Sequence, residues 1–174
     1  KCVEVDLQSQ IAQQVIDKYY QSMDKNEYKI TKIEAIQNKC LWDRFNDAKN
    51  IMTKSIGRDK LNQRYLWRSD TDKFLDECVK QGFRKETYSH LAKYSAANGS
   101  KSFGNELTTK ASYSVEFNDN KMLLCMALCG ESLVREKRTK ITKWPLKRKG
   151  NGQLCDSLTH DLDNPKVYFI HDDA

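Results

Sequence analysis

The sequence predicts a mixed α+β fold, built as a single domain over residues 1–174. Segments with helical spacing of apolar residues fall mostly in the first half, and short apolar runs of strand length fall mostly in the second. There are only two prolines and no low-complexity linker, so nothing marks a domain boundary. A chain of 174 residues is long enough to bury one hydrophobic core.

Three helices are predicted from the spacing of apolar residues and from the residues that flank them. In "SQIAQQVIDKYYQSM", Ser9 is a plausible N-cap and one face carries Ile11, Val15, Ile16, Tyr19 and Met23. The segment "CLWDRFNDAKNIMTKS" has the same periodicity and is followed by Gly57. The third helix, "DTDKFLDECVKQGF", ends at Gly82 and turns four side chains inward, namely Phe74, Leu75, Cys78 and Val79.

Five strands are predicted in the segments "VEVDL", "YKITKIEAI", "YLWRS", "KMLLCMALCG" and "KVYFIHD". The fourth is continuously apolar, which favours a central strand buried on both faces. Between the third strand and this one, residues 84–105 form a polar loop, and "TKASYSVEF" reads as a short helix or turn. These elements predict helices on the flanks of a sheet system.

Composition excludes several classes of protein. No apolar run approaches the roughly 20 residues that a membrane span needs, and "KCVEVDLQSQ" is too polar for a signal peptide. The six cysteines lie in apolar contexts, which is typical of free buried thiols in an intracellular protein of the cytoplasm or nucleus. Cys125 and Cys129 come closest to a metal-binding spacing, but no second pair completes a site, so no metal is expected.

Positive charge is concentrated in residues 135–149, "REKRTKITKWPLKRK", called the basic segment below. It holds eight cations against one acid and carries a net +7, whereas the whole chain carries +6. Such a segment is either a solvated loop or a binding site for phosphate, RNA or an acidic protein. Its tryptophan would then stack on a base or serve as a packing anchor. The candidate binding residues are Arg135, Arg138, Lys140, Lys143, Trp144, Lys147, Arg148 and Lys149.

Several motifs follow one another in the order known from one protein family. "KITKIEAIQNKCLWDRF" joins K-I-E-x-I-Q-N to L-W-x-x-F, and "RYLWRSD" is similar to R-Q-L-F-H-G-T. "ASYS" is similar to the A-x-Y-S that follows Y-F-A, "MALCGES" to V-L-V-G-E, and the run up to "YFIHDD" to P-P, Y-D-S and N-P-x-x-F-V-I-F. The chain thus resembles the PARP-type (diphtheria-toxin-like) ADP-ribosyltransferase catalytic domain, closest to the mono-ADP-ribosylating branch that includes the zinc-finger antiviral protein. The resemblance implies two packed, mostly antiparallel sheets that form an NAD cleft, with flanking helices and a last strand beyond residue 174.

The resemblance also assigns roles to positions. Active members use a His that anchors the nicotinamide-side ribose, a Gly that bonds the nicotinamide amide, and two Tyr residues that sandwich the ring. Here Arg68 stands at the His position, Ser69 at the Gly position and Glu106 at the first Tyr position, while the second stacking Tyr is kept as Tyr113. The third triad position would lie past the end of this chain. None of the three histidines falls at the His position: His90, His160 and His171.

These departures argue against NAD chemistry. Arginine offers donors only and is permanently charged, which disfavours the positive nicotinamide. Glu106 removes an aromatic face worth roughly 1–3 kcal/mol of stacking, and a salt bridge between Arg68 and Glu106 would plug the pocket. The sequence therefore predicts a pseudoenzyme without a cofactor, which acts as a protein- or RNA-interaction module, by analogy in RNA surveillance or gene silencing. The alternatives are an active mono-ADP-ribosyltransferase with a rearranged site and a binder of another small molecule.

Overall fold

The structure is a computed structural model that describes residues 1–83, 104–118, 120–134, 144 and 153–170. In these residues the strands are β1 (Cys2–Glu4), β2 (Glu34–Ile36), β3 (Gln63–Arg68), β4 (Asn105–Thr108), β5 (Leu123–Leu128), β6 (Ser132–Val134), β7 (Ser157–Thr159) and β8 (Val167–Ile170). The helices are α1 (Gln10–Tyr20), α2 (Lys39–Ile56), α3 (Asp72–Gln81) and α4 (Ala111–Ser114), with a 3₁₀ turn at Arg58–Lys60. The predicted mixed α+β class is confirmed.

Each of the three long helices begins at a capping side chain. The hydroxyl of Ser9 accepts a hydrogen bond from the Ala12 amide, as predicted, and Asn38 and Thr71 cap α2 and α3 in the same way. The predicted stops are also confirmed, since α2 ends at Gly57 with φ of 88° and α3 at Gly82 with φ of 81°. Glycine adopts positive φ without the steric cost that other residues bear.

The strands form two sheets, which are mostly antiparallel as predicted. A two-stranded sheet pairs β1 with β2, and a six-stranded sheet has the order β5-β3-β4-β8-β7-β6. Among the described strands of the larger sheet, only the pairing of β6 with β7 is parallel. Trp67 of β3 lies opposite Thr108 of β4, which brings the carboxyl end of β3 beside β4.

Apolar side chains cover both faces of the six-stranded sheet. On one face α3 packs Phe74, Leu75 and Cys78 against Leu123 of β5. Continuous with it is a cluster across four strands, formed by Leu66, Leu107, Ala127, Cys129, Tyr168 and Ile170. On the opposite face Trp67 is covered by Tyr19 of α1, by Met23 just after α1 and by Ala111 of α4. Successive side chains of β3 point to opposite faces of the sheet, so Leu66 and Arg68 point toward α3 and Trp67 points toward α1.

Several predicted details differ from the structure. Within the described residues β5 lies at the end of the sheet rather than at its centre, and three of its six residues are buried while the other three are half-buried. β2 is much shorter than "YKITKIEAI" and fully exposed, and Ile11 is 68% exposed because Ala12 takes the buried position on α1. Strands β4, β6 and β7 are not anticipated by the sequence pattern, because each is short and begins with a polar residue.

The six cysteines are all unpaired, but two of them are not buried as predicted. Cys2 and Cys40 are exposed, whereas Cys78, Cys129 and Cys155 are buried and Cys125 is half-buried. Exposure follows position, since Cys2 lies on the two-stranded sheet and Cys40 in the first turn of α2. In the part of the chain that the structure describes, no helix is both long and apolar enough to cross a bilayer.

Candidate functional site

The carboxyl end of β3 carries the position that the family resemblance assigns to the anchoring histidine. The strand "QRYLWR" is exposed over its first three residues and buried over its last three. The change occurs because the strand enters the space between α3 on one face and α1 on the other. Arg68 is consequently placed, with 5% exposure, where a charged side chain requires a full set of partners.

The guanidinium of Arg68 is held by three contacts. One terminal nitrogen forms an ion pair with the Asp70 carboxylate at 2.6 Å, and the other donates to the main-chain carbonyl of Glu106 at 2.7 Å. The guanidinium carbon also lies 5.1 Å from the centroid of the Phe74 ring. The side chains of Arg68 and Asp70 are 6% and 14% exposed, so this pair is largely shielded from water. The third nitrogen, Nε, is buried without a hydrogen-bond partner.

Glu106 lies on β4, opposite Phe169 of β8, and is half-buried. Its contact with Arg68 runs through its main-chain carbonyl, whereas the carboxylate paired with Arg68 belongs to Asp70. The acid that neutralises Arg68 therefore stands two residues further along the same chain segment. This geometry differs from the hypothesised side-chain pair of Arg68 with Glu106, but it places Arg68 and Glu106 in direct contact.

Ser69, to which the resemblance assigns the position of the family's glycine, ties the end of β3 to the turn before β5. Its hydroxyl donates to the carbonyl of Asn118 at 2.9 Å and lies 3.3 Å from that of Lys121. The Asn118 side-chain amide in turn donates to the Asp70 carbonyl and to the Asp72 carboxylate. Ser69 is 3% exposed, so its hydroxyl is committed to the protein interior. The segment 69–72 is thereby fixed from two sides.

Tyr113, to which the resemblance assigns the second stacking position, lies half-buried on α4. The Lys166 ammonium is 5.7 Å from the centroid of its ring, which is within the range of a cation–π contact. Lys166 reaches this place because its carbonyl accepts a hydrogen bond from the Thr109 amide, at the end of β4. One face of the tyrosine ring therefore meets a cation that belongs to the protein itself.

Thiols lie beside both arginines of β3. Burial raises the pKa of Cys78 and of Cys125 to about 12, and the nearby Arg68 guanidinium lowers it only in part. Burial likewise raises the pKa of Cys129 to about 12, against a smaller opposing effect of Arg64. A thiol with such a pKa stays protonated at neutral pH and is a poor nucleophile. These three cysteines are therefore core residues rather than reactive groups.

Trp144 is the one residue of the basic segment that the structure describes, and it lies in the core. It is 7% exposed, and its indole N–H donates to the Cys155 carbonyl at 2.6 Å. It packs with Cys155 and Leu158, and half-buried Leu133 and Phe169 close the cluster. The candidate cations Arg135, Arg138, Lys140, Lys143, Lys147, Arg148 and Lys149 lie outside the described residues, as do His90 and His171.

Sequence reasoning missed the residues that surround Arg68 and Tyr113. Asp70 stands two positions after Arg68 at the end of a strand, and this spacing was the available sequence signal for their ion pair. Asn118 and Lys166 are distant along the chain, and no local pattern announces their contacts. Among the described residues, no group of His, Cys, Asp and Glu side chains has the arrangement of a metal site. His160 is half-buried, and its Nδ1 is buried without a partner.

A comparison with protein families agrees with the fold and with the order of the motifs. The family model for the poly(ADP-ribose) polymerase (PARP) catalytic domain matches residues 9–164. That match begins at the cap of α1, ends in the turn before β8, and so includes the Arg68 position and α4. The chain therefore belongs to the family of PARP catalytic domains, which is the NAD-dependent ADP-ribosyltransferase family.

Proposed function

We propose that this chain is a catalytically inactive member of its family, a single domain over residues 1–174 that does not hold NAD in a productive pose. The observation that carries the proposal is the state of Arg68. The side chain at the histidine position is buried, paired with Asp70, bonded to the Glu106 carbonyl and packed on Phe74. It has no free lone pair to offer a ribose hydroxyl, because every polar group of arginine is a donor.

The surroundings support the same conclusion. Nicotinamide in NAD carries a positive charge, and the Lys166 ammonium lies against the ring of Tyr113, which would contact the nicotinamide in an active relative. Bringing a second positive charge to this ring is unfavourable, because like charges repel each other and the exclusion of water strengthens the repulsion. The Ser69 side chain adds bulk where the family has none, and its hydroxyl is occupied by Asn118.

Isothermal titration with NAD up to millimolar concentrations tests the proposal. We expect no saturable heat from the native chain. The matched variant restores the family motif in four positions at once, Arg68→His, Ser69→Gly, Asp70→Thr and Glu106→Tyr, and Arg68→His alone serves as its control. We expect measurable NAD binding only by the fourfold variant, because the single change leaves Asp70 without its cation.

Saturable NAD binding by the native chain, or auto-modification with labelled NAD, would contradict the proposal. Either result would favour the alternative function, an active mono-ADP-ribosyltransferase with a rearranged site. Loss of folding in the fourfold variant is checked by circular dichroism. The native chain's titration decides the question by itself in that case.

In place of catalysis, the domain acts as an interaction module, with the basic segment as its binding site for RNA or an acidic protein. The net +7 of this segment supports it, since clustered cations are the electrostatic signature of polyanion binding. Six unpaired thiols support an intracellular location, in the cytoplasm or nucleus. By analogy with the mono-ADP-ribosylating branch that includes the zinc-finger antiviral protein, the role is a scaffold in RNA surveillance or gene silencing.

A further inference from the structure

The motif L-W-x-x-F places two aromatic residues near the start of α2, Trp42 and Phe45. Phe45 is 8% exposed and belongs to the core, whereas Trp42 is 54% exposed. The two rings are stacked, with their centroids 5.8 Å apart and their planes inclined by 18°. The exposed indole therefore rests on a buried ring that holds it in place. A side chain that is ordered in advance loses less conformational entropy when a partner binds.

Trp42 forms one wall of a groove of about 410 Å³ where β2 leads into α2. Ile36, the last residue of β2, forms a second apolar wall and is 41% exposed. This volume lies in the range of roughly 300–1,000 Å³ that is typical of binding pockets. Ile51, further along α2, is more exposed but lines no part of the groove. Exposed apolar residues that are scattered singly are ordinary, whereas those that share a concave surface indicate a binding site.

Asn38, which also lines the groove, holds its surroundings together. The side-chain oxygen of Asn38 accepts a hydrogen bond from the Leu41 amide, and its side-chain nitrogen donates to the main-chain carbonyls of Val79 and Lys80. One residue thus caps α2 and joins it to the carboxyl-terminal part of α3. The groove is consequently a preformed part of the fold.

The polar groups that line the groove are suited to an uncharged ligand. The Lys39 ammonium forms an ion pair with the Asp43 carboxylate, so this cation is already neutralised. The main chain of Gln37 is paired with that of Lys1, which leaves its side-chain amide. Among the described residues, neither this amide nor the indole N–H of Trp42 makes a hydrogen bond. The groove therefore offers an aromatic ring and two kinds of N–H donor to a ligand with apolar groups and free acceptors.

We propose that this groove binds an uncharged, proline-rich segment of a partner protein in the polyproline II conformation. Such a segment makes no internal hydrogen bonds, so its carbonyls are free acceptors, and proline has no N–H to donate. Proline-rich segments dock in grooves lined by aromatic side chains, and Trp42 and Gln37 supply the ring and the donors. The inference goes beyond the proposed function, because it depends neither on Arg68 nor on the basic segment.

Two other occupants fit the groove less well. An amphipathic helix presents apolar anchors at i, i+3, i+4 and i+7, which is more than the apolar walls of Ile36 and Trp42 can receive. A nucleic acid could stack a base on Trp42, but its phosphates need free cations, and Lys39 is paired with Asp43.

Tryptophan fluorescence makes the groove directly observable. Of the three tryptophans, Trp67 and Trp144 are buried, so quenching by acrylamide reports mainly on Trp42. The probe is decaproline with both ends blocked, and its controls are a blocked glycine–serine peptide of equal length and the RNA oligonucleotide decauridylate. We expect decaproline to protect Trp42 from acrylamide with a dissociation constant below about 1 mM, and each control to bind at least about tenfold more weakly. Salt should leave the affinity for decaproline unchanged, because no ion pair contributes to it.

Isothermal titration compares the variants, because Trp42→Ala removes the fluorescent reporter. We expect Trp42→Ala to weaken the binding of decaproline by at least about tenfold. Gln37→Ala removes a donor and should weaken it by about threefold to tenfold. Ile51→Ala removes an exposed apolar residue from the same helix and should leave the affinity unchanged. Circular dichroism checks that each variant is folded, and if Trp42→Ala is not, the protection of Trp42 in the native chain decides.

The absence of saturable decaproline binding up to millimolar concentrations would overturn the inference, as would equal affinities of the native chain and Trp42→Ala. Binding of decauridylate that Trp42→Ala abolishes would make the groove a nucleic-acid site instead. None of these results bears on the titration with NAD, where saturable heat from the native chain is the sign that the proposed function fails.

Discussion

The two ends of β3 carry the same residue type in opposite surroundings. Arg64 is exposed and lies with its guanidinium 5.4 Å from the ring of Tyr168, whereas Arg68 is buried and lies 5.1 Å from the ring of Phe74. Both make a cation–π contact, but only the buried one is described with a carboxylate partner, Asp70. The difference teaches that a cation–π contact does not by itself determine how much an arginine contributes to the free energy of unfolding. Water at one end of the strand replaces any partner that is removed, and at the other end nothing does.

The largest effect is expected from Arg68→Ala. Removing this cation leaves the half-buried Asp70 carboxylate with the Thr71 amide but without a cation, which costs up to roughly 3–5 kcal/mol of the free energy of unfolding. Urea denaturation followed by circular dichroism measures it. The matched control replaces both partners, Arg68→Met with Asp70→Leu, and should recover most of the loss, because an apolar pair needs no compensation. A loss under about 1 kcal/mol in Arg68→Ala would mean that the two ends of β3 are energetically alike.

A smaller effect is expected at alkaline pH, from the thiols beside the two arginines. The folded-state pKa of Cys78, Cys125 and Cys129 is raised to about 12 from the ordinary value of 9.0, so the unfolded chain releases these protons first. The stabilising contribution is full below pH 9 and is lost as the pH rises from 9 toward 12. Each thiol should cost on the order of 1 kcal/mol over one pH unit in this window.

The free energy of unfolding measured in urea at pH 8, 9 and 10 checks this expectation. Cys78→Ala removes the α3 thiol that lies near Arg68. The fall in the free energy of unfolding between pH 9 and pH 10 should then be smaller by the contribution of one thiol. Cys40→Ala removes an exposed thiol and is the control, with an unchanged dependence. A flat profile between pH 9 and 10 would show that the buried thiols titrate as they do in water.

The smallest effect is expected from Arg64→Ala. Its guanidinium contacts Tyr168 and, at 2.7 Å, the side-chain oxygen of Asn62, but it remains in water, where such contacts are worth roughly 0.5–1 kcal/mol. The same urea measurement applies, with Arg64→Lys as the conservative control. A loss that equals that of Arg68→Ala would break the contrast between the two ends of the strand.

Those parts of the fold that depend on local sequence were predictable. Ser9, Gly57 and Gly82 mark helix ends through their own side-chain or backbone chemistry, and all three are found in these roles. The place of β5 in the sheet was not predictable, because an apolar strand looks the same at the centre and at an edge that α3 covers. β4 was missed because Asn105 and Glu106 are polar, and their place in a strand is decided by pairing with β8.

The candidate site shows the same division. The resemblance assigned roles to Arg68, Ser69 and Glu106, and these three residues lie close together at the junction of β3 and β4. The partner of Arg68 could not be assigned, because Glu106 and Asp70 are both near it and only backbone geometry decides between their carboxylates. Trp144 was open to two interpretations, and its burial depends on Cys155 and Leu158, which lie beyond the basic segment.

The ion pair of Arg68 with Asp70 has a consequence for the paths by which such a chain can change. A first step from arginine to histidine leaves a buried carboxylate without its cation, and a first step away from Asp70 leaves a buried cation without its anion. Either single exchange is therefore expected to lower the free energy of unfolding, whereas the exchange of both residues together leaves no unpaired charge. The ion pair thus couples the two positions, so that a change at one is tolerated best when the other changes with it.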